Sequence, residues 1–153
     1  MLYFNGRGGL PYNHKLAAEW FRKAADQGDA GAQFELGNCY FDGEGVKQDR
    51  KKAIELFLVA ANRGEINAQY KLGVCYMNGT GVDADKAEAV KWFRKAADRW
   101  HSSAQYNLGV CYLNGDGVEK DRTEALKWLR EAAERGHAKA KKALKKLESG
   151  KTE

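Results

Sequence analysis

The side chains with the most chemistry to offer are three cysteines, Cys39, Cys75 and Cys111, and three histidines, His14, His101 and His137. A thiolate beside an imidazole can attack an acyl group, and the two types together can hold zinc. Their spacing argues against both uses. The cysteines stand 36 residues apart with no C-x-x-C pair, and no H-E-x-x-H or nucleophile-elbow sequence occurs. Each histidine falls near a predicted helix start; His101 and His137 match Asp29 and Glu65 one repeat apart and read as surface positions. Gly-x-Gly recurs, but after a predicted helix rather than a strand, the wrong place for a dinucleotide. Asn114-Gly-Asp-Gly-Val-Glu-Lys-Asp121 resembles a calcium loop but lacks alternating ligands and a distal Glu. No catalytic residue, metal site or cofactor site is assembled.

The 36-residue step governs the whole chain. Leu-Gly-x-Cys-Tyr recurs at Leu36–Tyr40, Leu72–Tyr76 and Leu108–Tyr112, each time followed by Gly-x-Gly-Val at Gly43, Gly79 and Gly115. Asp49, Asp85 and Asp121 share a register, as do Ala53, Ala89 and Ala125, and Ala-Ala pairs close each unit. Each unit predicts two helices: A over 29–42, 65–78 and 101–114, and B over 14–27, 50–63, 86–99 and 122–135. At 100° per residue, Ala32, Leu36, Gly37, Cys39 and Tyr40 share one side of A, and Ala53, Leu56, Phe57, Ala60 and Ala61 one side of B. Gly37, Gly73 and Gly109 interrupt helix A at a cost near ~1 kcal/mol each. Close approach of the helix B backbone is the expected compensation. Asp85 with Glu88, and Asp121 with Glu124, fit N-caps carrying an acid three positions on, while the Gly-x-Gly turns supply left-handed residues.

The signature A-x-x-x-LG-x-CY-x-x-G-x-GV-x-x-D-x-x-x-A-x-x-W/L-F-x-x-AA resembles the Sel1-like repeat family, relatives of the tetratricopeptide repeats. Three full units cover 29–64, 65–100 and 101–136, flanked by a partial repeat over 1–28, a capping helix over 137–149 and a tail over 150–153. The resemblance implies an all-α, right-handed α/α superhelical solenoid of antiparallel helix pairs, with A helices on the concave wall. It also implies a non-catalytic scaffold or adaptor that binds proteins or peptides. Alternative roles are an inhibitor or immunity protein, a host-interaction factor, and, by family analogy alone, a penicillin-type hydrolase. A cysteine-rich secreted branch of the family would place Cys near Ala61 and Ala68, where this chain has none. Cysteines on successive helices ~9–10 Å apart lie beyond the ~7 Å reach of a disulfide, so free, buried thiols are expected.

Residues 3–6 read as the close of an A helix, followed by a glycine-rich linker through Pro11. At the other end, Lys139, Lys141, Lys142, Lys145 and Lys146 suit a polar cover for the last repeat. Helix A is apolar on a second side through Phe34, Phe41, Tyr70, Met77, Tyr106 and Leu113, which leaves a narrow strip. It holds Glu35, Asn38 and Asp42; then Asn67, Lys71, Val74 and Asn78; then Ser103, Asn107, Val110 and Asn114. If the A helices line the groove, this strip meets the partner, with Tyr70 and Tyr106 bordering it as anchors or as packing. Two departures add a secondary patch. Leu58-Val59 stands where other B helices carry Arg22-Lys23, Arg94-Lys95 and Arg130-Glu131. Trp100 replaces the Gly found at 28, 64 and 136, and a rearranged turn, its indole covering a neighbour, is expected there.

The bulk composition is that of a globular protein. The chain has 153 residues, 43% hydrophobic and 31% charged, with no apolar run near the ~20 residues a membrane span needs. Of the net +5, six Lys and two Glu put +4 beyond residue 136, so no long basic face is offered to nucleic acid. The expected state is a monomer or weak homodimer. No signal peptide is evident in Met1–Leu10; free thiols favour the cytoplasm, with a periplasmic or secreted location after signal removal as the alternative.

Overall fold

Aspartates start three of the four B helices, and Asn13 the other, in a computed structural model that describes residues 12–150. Asp49, Asp85 and Asp121 accept the backbone N–H three residues on at 3.0, 2.9 and 3.0 Å, each satisfying a donor the first turn would otherwise leave open. Asp29 caps an A helix in the same way at 2.7 Å. The helices are α1 (His14–Asp26), α2 (Ala30–Asp42), α3 (Arg50–Asn62), α4 (Ile66–Asn78), α5 (Lys86–Ala97), α6 (Ser102–Asn114), α7 (Arg122–Glu134) and α8 (Ala138–Glu148). Every element matches its predicted position within two residues, and no strand occurs among the described residues. The reading of residues 3–6 and of the linker through Pro11 lies outside them.

The fold is the expected all-α repeat of consecutive helix pairs, and its residues cluster into two units. The first holds the described residues up to Ala68 together with Thr80–Val82, and the second Gln69–Gly79 with Asp83 onward. In the first unit, α2 packs on both α1 and α3. Phe57 of α3 is fully buried, and the rings of Phe34 and Phe41 close around it at 5.7 and 6.0 Å. In the second unit, α6 packs on α5 and α7, and α8 covers α7. Phe93, Leu108 and Leu129 form its buried spine. Ala140 of α8 joins Leu129 and Ala132, with Ala143, Leu144 and Leu147 against them, while Lys139, Lys141, Lys142, Lys145 and Lys146 are exposed.

Two expectations need correcting. The mid-helix glycines make room for side chains more than for backbone. A Cβ on Gly37 would lie 2.6 Å from the Phe57 ring, one on Gly73 would collide with Phe93, and one on Gly109 would lie 2.8 Å from Leu129 Cγ. At Gly109 backbone is close as well, the Ala125 carbonyl at 3.2 Å. The second correction is the turn at Trp100, which has not rearranged. Trp100 keeps a φ of 64°, beside 86°, 90° and 87° at Gly28, Gly64 and Gly136. The reason is the hydrogen bonding: Trp100 N–H donates to Ala97 O at 2.9 Å and His101 N–H to Ala96 O at 3.1 Å, as their counterparts do in the glycine turns. These paired bonds hold a left-handed residue whatever its side chain. The indole is 67% exposed, with the Arg135 guanidinium over its ring at 5.6 Å.

Candidate functional site

The predicted strip lies at the surface in both units. On α2, Glu35 and Asn38 are half-buried and Asp42 exposed, and Asn67 is exposed at the start of α4. In the second unit Lys71, Val74, Ser103, Asn107 and Val110 are half-buried, with Asn78 and Asn114 exposed. Their neighbours Leu72, Cys75, Leu108 and Cys111 are buried. The strip is thus the part of each A helix that packing leaves over.

At the N-terminal ends of α6 and α8 the second unit has a feature that sequence reading missed. His101 and His137 are N-caps, not plain surface positions: each Nδ1 accepts a backbone N–H, from Ala104 at 3.1 Å and Ala140 at 3.2 Å. That bond leaves the proton on Nε2. Tyr70 stacks on His101 at 4.5 Å and Tyr106 on His137 at 4.8 Å. Burial lowers the pKa of His101, with repulsion from His137 adding to it; burial, then Lys139, lowers that of His137. The signal was available, since Tyr and His replace Phe34 and Glu65 together in both later registers. Between the tyrosines lies a cleft of about 260 Å³, lined also by Ser103, Asn107, His137 and Lys139.

A second unforeseen pattern links helices B and A eighteen residues apart. Arg22 donates to the Tyr40 hydroxyl at 2.9 Å, Arg94 donates to the Tyr112 hydroxyl, and Arg130 faces Glu148 at 3.9 Å. Hydrogen bonding from Lys52 and Arg22 lowers the Tyr40 phenol pKa. Leu58 occupies the arginine register on α3. It is half-buried, so only Val59 of that pair is exposed, at 44%. Lys23 and Lys95, which share the register of Val59, lie over Trp20 and Trp92 at 5.0 and 4.4 Å.

The cysteines are free and buried, as expected. Burial pushes the Cys111 thiol up to about 11, with Asp116 adding to it, and raises Cys39 too. A raised thiol pKa withholds the thiolate a nucleophile needs. In the Gly-x-Gly turn, Asp116 is paired with Lys86 at 2.6 Å. No described helix is long and apolar enough to cross a membrane.

A family profile, the Sel1 repeat, matches residues 1–29, 30–65, 66–99 and 102–137. The chain belongs to the Sel1 repeat family. Two solved Sel1-type structures are similar to it in sequence as well as fold. A protective antigen present in uropathogenic Escherichia coli strains is 43% identical with a TM-score of 0.86, over 91% of this chain and 30% of that one. A Sel1 repeat protein from Oxalobacter formigenes is 36% identical with a TM-score of 0.90, over 98% of this chain and 61% of that one. The cysteine rich protein B of Helicobacter pylori, at 23% identity and a TM-score of 0.68 over 92% of this chain and all of that one, shares the fold. This chain therefore spans less than two thirds of the two more similar Sel1 structures. Among curated proteins none matches it. Sel1 repeats form a protein-interaction scaffold fold, generally without catalysis.

Proposed function

We propose that this chain is a non-catalytic binding module whose A-helix strip receives a protein or peptide segment. The observation that carries the reading is the exposed composition of α4 and α6 in the second unit. Lys71, Val74, Asn78, Ser103, Asn107, Val110 and Asn114 keep surface while Leu72, Cys75, Leu108 and Cys111 beside them are buried. Amides there can donate to and accept from an extended backbone, and the two valines give apolar contact. Tyr70 and Tyr106 border the strip, half-buried, as anchors. In the first unit, Glu35, Asn38, Asp42 and Asn67 offer the same kind of surface, and Val59 beside Leu58 a small apolar patch. An adaptor, an inhibitor and a host-interaction factor would all work this way.

The absence of catalysis is part of the proposal, supported by the Cys39 and Cys111 thiols, whose pKa burial raises, and by His101 and His137 serving as helix caps. Capture of a partner by the unaltered chain but not by Asn78→Ala with Asn114→Ala tests the strip. A turnover abolished by one Cys or His substitution would favour an enzyme instead.

A further inference from the structure

We infer that the cleft between Tyr70 and Tyr106 is the subsite for an acidic side chain, aspartate or glutamate, carried by the peptide that the strip binds; this rests on the peptide-binding reading above. The cleft's polar lining is rich in donors. Ser103 offers a hydroxyl, Asn107 an amide, Lys139 an ammonium and His137 its Nε2–H, while no carboxylate stands among the lining residues. The His137 imidazole is fixed for this task, because its Nδ1 is engaged by Ala140 N–H and its face by Tyr106. Lys139 pairs with no carboxylate among the described residues, so its charge is available to a ligand.

Charge balance selects the anion. One ammonium neutralises one carboxylate, whereas a phosphate dianion would enter a cleft holding a single fixed cation. Size agrees: about 260 Å³ takes an acidic side chain with its methylenes against the two tyrosine rings. The site lies beside Ser103 and Asn107 of the strip, so a peptide along α6 reaches it without leaving that surface.

The test uses the full chain and an array of random nonapeptides, acetylated and amidated so that every carboxylate is a side chain. Affinities of the best binder follow from fluorescence anisotropy. The expected binders share an Asp or Glu, and changing it to Asn or Gln weakens binding about tenfold or more, the scale of one charge-assisted hydrogen bond. Lys139→Gln costs the same factor and removes the difference between acid and amide peptides, while Lys139→Arg keeps most of the affinity. Binders without acidic preference, or a Lys139→Gln chain that still prefers the acid, overturn the subsite and leave the strip standing. A phosphoserine peptide that binds tenfold tighter than its aspartate counterpart overturns it as well. So does binding confined to a second array of the same peptides left with free C-termini, which would assign the cleft to a terminal carboxylate. If no peptide of either array binds, the subsite and the peptide-binding reading fall together.

Discussion

The imidazole of His137 lies nearly parallel to the ring of Tyr106, centroids 4.8 Å apart and planes 20° apart, while its Nδ1 caps α8. His101 repeats the arrangement with Tyr70 at 4.5 Å. A ring that must accept a backbone N–H cannot be protonated there without losing the cap, so these two histidines link helix stability to pH.

The direction of that link follows from the pKa shifts. Both folded values lie below the ordinary 6.5, so below pH 6.5 the unfolded chain binds more protons than the folded one. The caps' contribution is complete above about pH 6.5 and is lost as pH falls through the folded values. Urea denaturation at pH 7.5 and 5.5 should show the loss, and His101→Asp with His137→Asp should flatten it, because aspartate caps without a proton at either pH. A decline unchanged in that double variant would contradict the coupling.

Much of this fold was legible because repetition multiplies weak signals. One Asp before a helix is ambiguous; Asp49, Asp85 and Asp121 at one spacing are not, and all three are caps. The Tyr-His stacks escaped because they join one repeat's helix A to the next repeat's cap, a pairing that single-helix projections do not contain. The Arg94–Tyr112 bond escaped for the same reason. Trp100 was misjudged because a side-chain preference was weighed without the two backbone bonds that hold the turn.

That turn stores strain. A left-handed non-glycine residue costs roughly 1–2 kcal/mol, so Trp100→Gly should raise stability by about 1 kcal/mol in chemical denaturation, and Trp100→Ala should not. If the exposed indole serves binding, the same Trp100→Gly chain will bind its partner more weakly despite being more stable.

The mid-helix glycines should resist the change that usually favours a helix. Gly73→Ala gains about 1 kcal/mol in propensity but drives a Cβ into Phe93, and overpacking costs typically ~1–3 kcal/mol. A net loss of about 1 kcal/mol is expected by thermal or urea denaturation. Gly31→Ala is the control: its Cβ would meet only Asp29 Oδ1 at 3.4 Å, and stability should stay level or rise by up to ~1 kcal/mol.

The arginine–tyrosine bonds are separable from packing. Tyr112→Phe keeps the ring and removes the hydroxyl that Arg94 reaches, so it should cost about 0.5–1.5 kcal/mol. An unchanged denaturation midpoint would mean that water replaces the bond at no loss.

The most direct measurement of the binding account is calorimetric titration of a captured, identified partner against three chains: unaltered, Asn78→Ala with Asn114→Ala, and Glu55→Gln, an exposed α3 position outside the strip and the patch. If the strip of the second unit receives the partner, the asparagine variant binds at least tenfold more weakly, while its circular dichroism matches the unaltered chain and Glu55→Gln binds as before. Equal affinity in the unaltered and asparagine-substituted chains would contradict the account.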